Sequence, residues 1–275
     1  MLTELYLIVY MENASVFATL HRVKRVWAIS SVHGASARLH KLHKQLEKQI
    51  IPGDRLVYLG NILGLGDEVR ATVDAVLSFR RAFFSQPNTF VHDVALLRGA
   101  QEEMWQRLMQ LQFAVNPQEV LEWIVQKGGT ATLNAYGGSL NEVMSAIRQG
   151  PMAITHWTNK IRAQFQKSGH QQWLSNLKHA AITKGGELLF VHRAINPERP
   201  LDAQADVFWW GSQIFEQIKS PYGGFTKIIR TFDPKHQGVL EGEFTISVDP
   251  GHGESGPLLA CCIGIDGSLI ETLEA

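Results

Sequence analysis

The sequence predicts an α/β protein built on two sheets, and three observations predict it. A strand-loop-helix pattern repeats three times over residues 23–112. Strand signals then give way to helical ones from about residue 105 to residue 184. Strands return after that and continue to the C-terminus. Parallel neighbours need a crossover, usually a helix, so the first pattern implies a parallel core.

The elements follow in order. Residues 23–30 alternate and then run apolar, which reads as a strand. Residues 35–49 carry Leu39, Leu42 and Leu46 at helical spacing. Pro52-Gly53-Asp54 is a turn and "RLVYL" (55–59) a second buried strand. Residues 67–84 read as a helix with Val69, Val73, Val76, Leu77 and Arg80 on successive turns. Residues 91–97 are a third strand, and 102–112 are helix again. Helical segments then fall at 117–127, 140–149, 157–165 and 173–181. They form a helical cap within one domain that spans residues 1–275, and Trp105, Trp123, Trp157 and Trp173 are its packing residues. Strands resume at 187–192, with a short helix near 212–218 and strands at 226–232 and 243–249. The last stretch is a hairpin turning at Asp266-Gly267. This β-rich second half is expected to close the second sheet. Residues 1–22 read as an N-terminal extension, with Leu5–Tyr10 as an extra strand or loose segment and Met11 as an alternative start.

Composition narrows the function classes. The chain has 275 residues, 45% apolar and 19% charged, with a formal net charge of zero. No basic stripe suited to nucleic acid is visible. The apolar run Leu5–Tyr10 is far shorter than the ~20 residues of a membrane span, and it lacks the basic front of a secretory signal. Cys261 and Cys262 are the only cysteines and are adjacent, which suits buried strand residues in a reducing compartment. The expectation is a cytoplasmic protein that binds neither nucleic acid nor membrane.

In an α/β fold the loops after the strand ends form the active cleft. Here these are "SSVHG" (30–34), "GNILGLG" (60–66) and "RGAQEE" (98–103). Later strings are "FVHRA" (190–194), "IIRTFDP" (228–234) and "ISVDPGHG" (246–253), with the linking phrases "PGDRLVYLG", "INPERPLDAQ" and "PYGGF". Together, from about Val26 onward, they resemble the calcineurin-like metallophosphoesterases. The nearest in style are bacterial serine/threonine protein phosphatases and symmetrical diadenosine tetraphosphatases. The resemblance implies a four-layer α/β/β/α sandwich of two mixed sheets. It also implies phosphoester hydrolysis on two divalent metals, manganese, iron, zinc or magnesium, that hold an attacking hydroxide.

Carried onto this sequence, the implied metal-ligand positions are Ser31, His33, Asn61, Ala100, His192 and Phe232. Only His33 and His192 keep a ligand, and both metal-binding carboxylates are gone. The implied leaving-group histidine falls on Gln101, its orienting aspartate on Gly64 and the phosphate-clamping arginine on Leu65. Gly34, Gly60, Gly66, Gly99 and Glu102 survive as frame. Neutral groups cannot offset two divalent charges, so no catalytic residue, bound metal or other cofactor is expected. His33 and His192 read better as hydrogen-bonded cleft histidines than as ligands of one zinc or nickel ion helped by Asn61 or His252. Ser31 beside His33 does not make a hydrolase pair, because side chains two apart at a strand end diverge and no third group is evident.

Arg193 and Arg230 are candidates for anion binding if they point into the cleft and replace the metals' charge; pointing outward, they are surface arginines. The expected function is that of an inactive phosphatase-like protein, a pseudoenzyme that binds a protein partner or a phosphorylated ligand. The alternatives are a residual or altered hydrolase, of protein phosphatase or dinucleoside-polyphosphate type with an atypical metal site, and a scaffold or oligomerisation module.

Overall fold

A computed structural model describes residues 16–211, 215–251 and 256–275. The extra strand expected at Leu5–Tyr10 lies outside these residues, as do His252 and the start of the helix expected near 212–218.

Strand β1 (Phe17–Leu20) opens the described chain. Then β2 (Arg25–Ile29), α1 (Ser36–Gln49), β3 (Asp54–Tyr58), α2 (Val69–Phe84) and β4 (Val94–Leu96) build the repeated unit. Helices α3 (Ala100–Met109), α4 (Pro117–Gln126), α5 (Thr130–Ala135), α6 (Leu140–Gln149), α7 (Pro151–Lys167) and α8 (His170–Ser175) follow. Strands β5 (Ala180–Thr183) and β6 (Leu188–Val191), the short helix α9 (Val207–Trp210), and β7 (Lys227–Arg230), β8 (Gly238–Glu241), β9 (Thr245–Asp249), β10 (Leu259–Gly264) and β11 (Leu269–Glu274) complete it.

The first sheet has the order β11-β10-β2-β3-β4, and the second β1-β5-β6-β7-β9-β8. Strands β2, β3 and β4 run parallel, as the crossovers require. Each sheet draws on both ends of the chain. The C-terminal hairpin joins the first sheet through the antiparallel β10–β2 pair, not the second as the sequence order suggests. Strand β1 joins the second sheet beside β5.

Three apolar layers explain the stacking. Val26, Ala28, Val57 and Leu59 of the first sheet meet Phe190, Ile229, Ile246 and Val248 of the second between the sheets. Trp27, Ile29, Leu56 and Tyr58 face the other way, against the leucine stripe of α1, the valines of α2 and the cap helices. Ile182, Leu189, Val191 and Ile228 face a thinner outer layer with Phe208, Trp209 and Phe215. The result is the α/β/β/α sandwich. Central strand β3 is buried along its length because both of its faces are covered.

Several sequence expectations change. Residues 91–93 form a 3-10 turn, so β4 is shorter than 91–97. The helix expected over 173–181 stops at Ser175, and strand β5 follows it; Ala180 and Ala181 favour helix locally, but pairing on both sides makes them strand. Strand β8 is an exposed edge with little apolar signal. Trp105, Trp157 and Trp173 are core residues, and Trp123 stacks edge-on against Trp210 at 5.0 Å. Cys261 and Cys262 are free and buried in β10. Among the described residues no helix is long and apolar enough to cross a membrane.

One buried group sets an acid limit. His43 Nε2 lies 2.7 Å from the Tyr58 hydroxyl, and the ring stacks on Phe79 at 3.9 Å. Burial, with a smaller push from His40, lowers its pKa to about 3. The unfolded chain therefore binds an extra proton between about pH 6.5 and 3, so stability falls as pH drops through that window and is level above it. The slope from this group approaches about 1.4 kcal/mol per pH unit. Thermal unfolding from pH 7 to pH 4 should show it, and His43→Gln should reduce the slope by this group's share, leaving that of His192 and His179, which burial likewise lowers to about 3 and about 4.

Candidate functional site

The cleft lies where β2, β3, β4 and β6 end. Its loops are joined by backbone bonds: Val32 N and His33 N both donate to Asn61 O, at 3.0 and 2.7 Å, and Gly66 N donates to His33 O at 2.8 Å. His33 and Asn61 both adopt φ of 51°, a left-handed conformation uncommon for non-glycine residues and frequent at functional turns. Gly60 has φ of 102°, and a Cβ there would lie 2.7 Å from Gly99 N. Only glycine fits that approach.

The carboxylate of Glu102 ties the loops to α3. It accepts Asn61 N at 3.0 Å, Gly99 N at 2.8 Å and Leu63 N at 2.8 Å. Its side chain is fully buried; burial pushes its pKa up, and those N–H bonds pull against that. Its two oxygens together satisfy three buried donors.

Five of the implied metal positions, Ser31, His33, Asn61, Ala100 and His192, meet here; Phe232 does not, because its ring lies under Arg193 and Thr231 takes the inward place beside Ser31. His192 Nδ1 donates to Leu59 O at 2.9 Å, which leaves the lone pair on Nε2; that atom is buried with no partner. Burial lowers the His192 pKa to about 3, so the ring is neutral. Asn61 Oδ1 already accepts Gln101 N at 2.9 Å, and Asn61 Nδ2 lies 3.4 Å from His33 Nε2. Ser31 is engaged with Thr231, whose hydroxyl accepts Ser31 N at 2.7 Å. Ala100 and Phe232 carry no ligand atom. This set offers two imidazoles, an amide and a hydroxyl, with no anion. It does not fit two divalent cations, which need hard anionic oxygens. Among the described residues no group of three or more His, Cys, Asp or Glu is placed to hold a metal ion.

The implied catalytic positions have become packing. Gln101 Nε2 reaches across to Lys127 O at 2.7 Å, in the turn between α4 and α5. Its side chain fills the space that a Cβ on Gly64 would enter. Gly64 N donates to Thr132 Oγ1 at 3.0 Å. Leu65 lies over Gly128 so closely that a Cβ there would collide with it. Gly64, Leu65 and Gln101 thus form one latch that fastens the cap to the cleft loop.

Arg193 and Arg230 do not face the cleft. Along β7, Ile229 points between the sheets, so Ile228 and Arg230 point to the outer face. Arg230 is 2% exposed, donates from Nε to Ser247 Oγ at 2.7 Å and lies 4.0 Å over the Phe215 ring. Arg193 donates from Nε to Gly211 O at 2.8 Å, and its guanidinium lies 3.6 Å over Phe232. Neither arginine stands where a metal would, and neither is a plain surface arginine. Sequence reasoning missed Thr231, the inward residue that follows Arg230 and meets Ser31. Pleat alternation finds it only once Ile229 is known to point between the sheets.

Glu102→Ala would leave three buried N–H groups unpaired, at about 1–3 kcal/mol each. Denaturant unfolding should show a loss of about 3 kcal/mol or more, with Glu102→Gln less severe because one acceptor oxygen remains.

No protein-family model matches the sequence, and no curated protein does. Solved structures do. A candidate diadenosine tetraphosphatase matches with a TM-score of 0.55 at 16% identity, covering 95% of this chain and 98% of that one. A cold-active protein tyrosine phosphatase matches at 0.50 and 16% identity, covering 93% and 80%. A protein serine/threonine phosphatase from Saccharomyces cerevisiae matches at 0.50 and 14% identity, covering 94% and 84%. With its two facing mixed sheets and its strand-end cleft, the chain has the calcineurin-like metallophosphoesterase fold.

Proposed function

We propose that this chain works by binding rather than by hydrolysis: a phosphoesterase fold that recognises a phosphorylated ligand or a protein partner without cleaving it. The observation that carries the reading is the latch. Gln101, Gly64 and Leu65 stand where the fold's acid, its orienting carboxylate and its phosphate clamp are implied, and they close on Lys127, Gly128 and Thr132 of the cap. A residue that packs against the cap is not free to meet a substrate. The neutral donor set argues the same way, since metal-pair hydrolysis depends on charge that these residues do not supply. Loss of one group that stabilises developing charge costs ~10²–10³ in rate; here several are replaced together. The proposed setting is the cytoplasm, which suits two free buried thiols.

One observation favours a second reading, a weak hydrolase with a single metal: the unpartnered Nε2 of His192 has the orientation of a ligand.

The test is metal content together with manganese-supplemented hydrolysis of an aryl phosphate. The binding reading predicts substoichiometric metal and a rate no higher in wild type than in His33→Ala or His192→Ala. Stoichiometric manganese with turnover abolished by His192→Ala would overturn it in favour of the hydrolase.

A further inference from the structure

Arg193 and Arg230 stand on neighbouring backbone of the second sheet, Arg193 just after β6 and Arg230 at the end of β7, where Phe190 pairs with Ile229 and Thr231 N donates to His192 O at 3.0 Å. Arg230 is buried, and its Nη1 has no hydrogen-bond partner among the described residues. Arg193 is half-buried and, among the described residues, engages only through Nε. Neither is in an ion pair among the described residues. Burial lowers the pKa of both to about 10, and the charge of Arg193 adds to the effect on Arg230.

Acids are near but committed. Asp249 accepts Asp233 N at 2.8 Å, Gly251 N at 3.0 Å and a contact from His236 Nδ1 at 2.9 Å. Asp233 accepts Gln237 N at 3.1 Å and Lys235 N at 3.3 Å. Glu216 is exposed to solvent. These carboxylates soften the field at the arginines and do not pair with them. Each guanidinium is meanwhile fixed on an aromatic face, Phe232 under Arg193 and Phe215 under Arg230. Stacking engages the guanidinium faces and the Nε atoms are taken, which leaves the η N–H donors at the edges for an in-plane acceptor.

We propose that Arg193 and Arg230 form a metal-free oxyanion site whose ligand is a phosphate group, either inorganic phosphate or a phosphate monoester. A buried and a half-buried cation with no ion pair among the described residues are costly, and a dianion shared by them offsets that cost while matching the guanidinium fork. Arg193, being half-buried, is the open side. The site lies apart from the cleft, because His192 and Thr231 turn into the cleft while Arg193 and Arg230 turn away; Phe232, under Arg193, is the one implied metal position that borders it. The inference deepens the binding reading and rests on it.

The experiment is a calorimetric titration of the full chain in EDTA at fixed ionic strength, with inorganic phosphate in one arm and phenyl phosphate in the other. Wild type should bind at least one of them saturably at one site per chain, and the arm that binds more tightly identifies the source. Arg193→Gln should weaken binding at least ~10-fold, about 1.4 kcal/mol, with the unfolding midpoint retained. Arg230→Lys keeps the charge and loses the fork, so it should also weaken binding. No saturable binding by wild type, or wild-type affinity in Arg193→Gln, overturns the site and leaves the acids as the arginines' sufficient counter-charge. The titration contains no free metal, so its outcome is independent of the hydrolysis assay: turnover there defeats the binding reading, whereas silence here defeats only this site.

Discussion

The buried carboxylate of Glu102 is the constraint on which the cleft depends. It accepts the N–H groups of Asn61, Leu63 and Gly99 and so fixes the loop after β3 against the start of α3. Asn61 then fixes the loop after β2 through its carbonyl, and Gln101 through its side chain. The chain's own hydrogen bonds hold the strand-end loops in their relative positions. Frame and chemistry are therefore separable in this fold, as they are in others.

The substitutions fit one another as a set. An aspartate at position 61 or 31 without a metal would be a buried charge with no partner, which is expensive. Neutral Asn61 and Ser31 avoid that and hydrogen-bond to Gln101 N and to Thr231. Gly64 gives the Gln101 side chain its route to Lys127 O, and Leu65 covers Gly128. Phe232 puts a ring under Arg193. These replacements are answered by their neighbours, and together they fasten the cleft loop to the cap.

The fold was largely legible in the sequence. The leucine stripe of α1, the valines of α2 and the buried run of β3 carry their own periodicity, and the glycines of the turns mark the loops. What was not legible depends on long-range pairing. β1 and β5 are four-residue strands that hold each other in place, and nothing local at Ala180–Thr183 outweighs the helix preference of its alanines. Sheet membership is also non-local, so the C-terminal hairpin joins the first sheet although it follows the second in sequence. At the candidate site, the missing carboxylates were visible as identities. The latch was not, because it joins residues 63–65, 101 and 127–132 across the cap. The direction of Arg230 was not legible either, because Ile228 and Ile229 before it are both apolar and only the structure shows that Ile229 points between the sheets.

The latch is measured most directly by asking whether Gly64 and Gln101 share one space. Gly64→Ala should destabilise the wild type because its Cβ collides with the Gln101 side chain, in addition to the strain of a φ of 93°. The strain remains in a Gln101→Ala background and the collision does not. Denaturant unfolding of the four proteins in this cycle should therefore give a smaller cost for Gly64→Ala when Gln101 is truncated, by about 1 kcal/mol or more, within the range seen for residues in contact. Equal costs in the two backgrounds would mean that Gln101 does not occupy the Gly64 space and that the cleft is not latched as described.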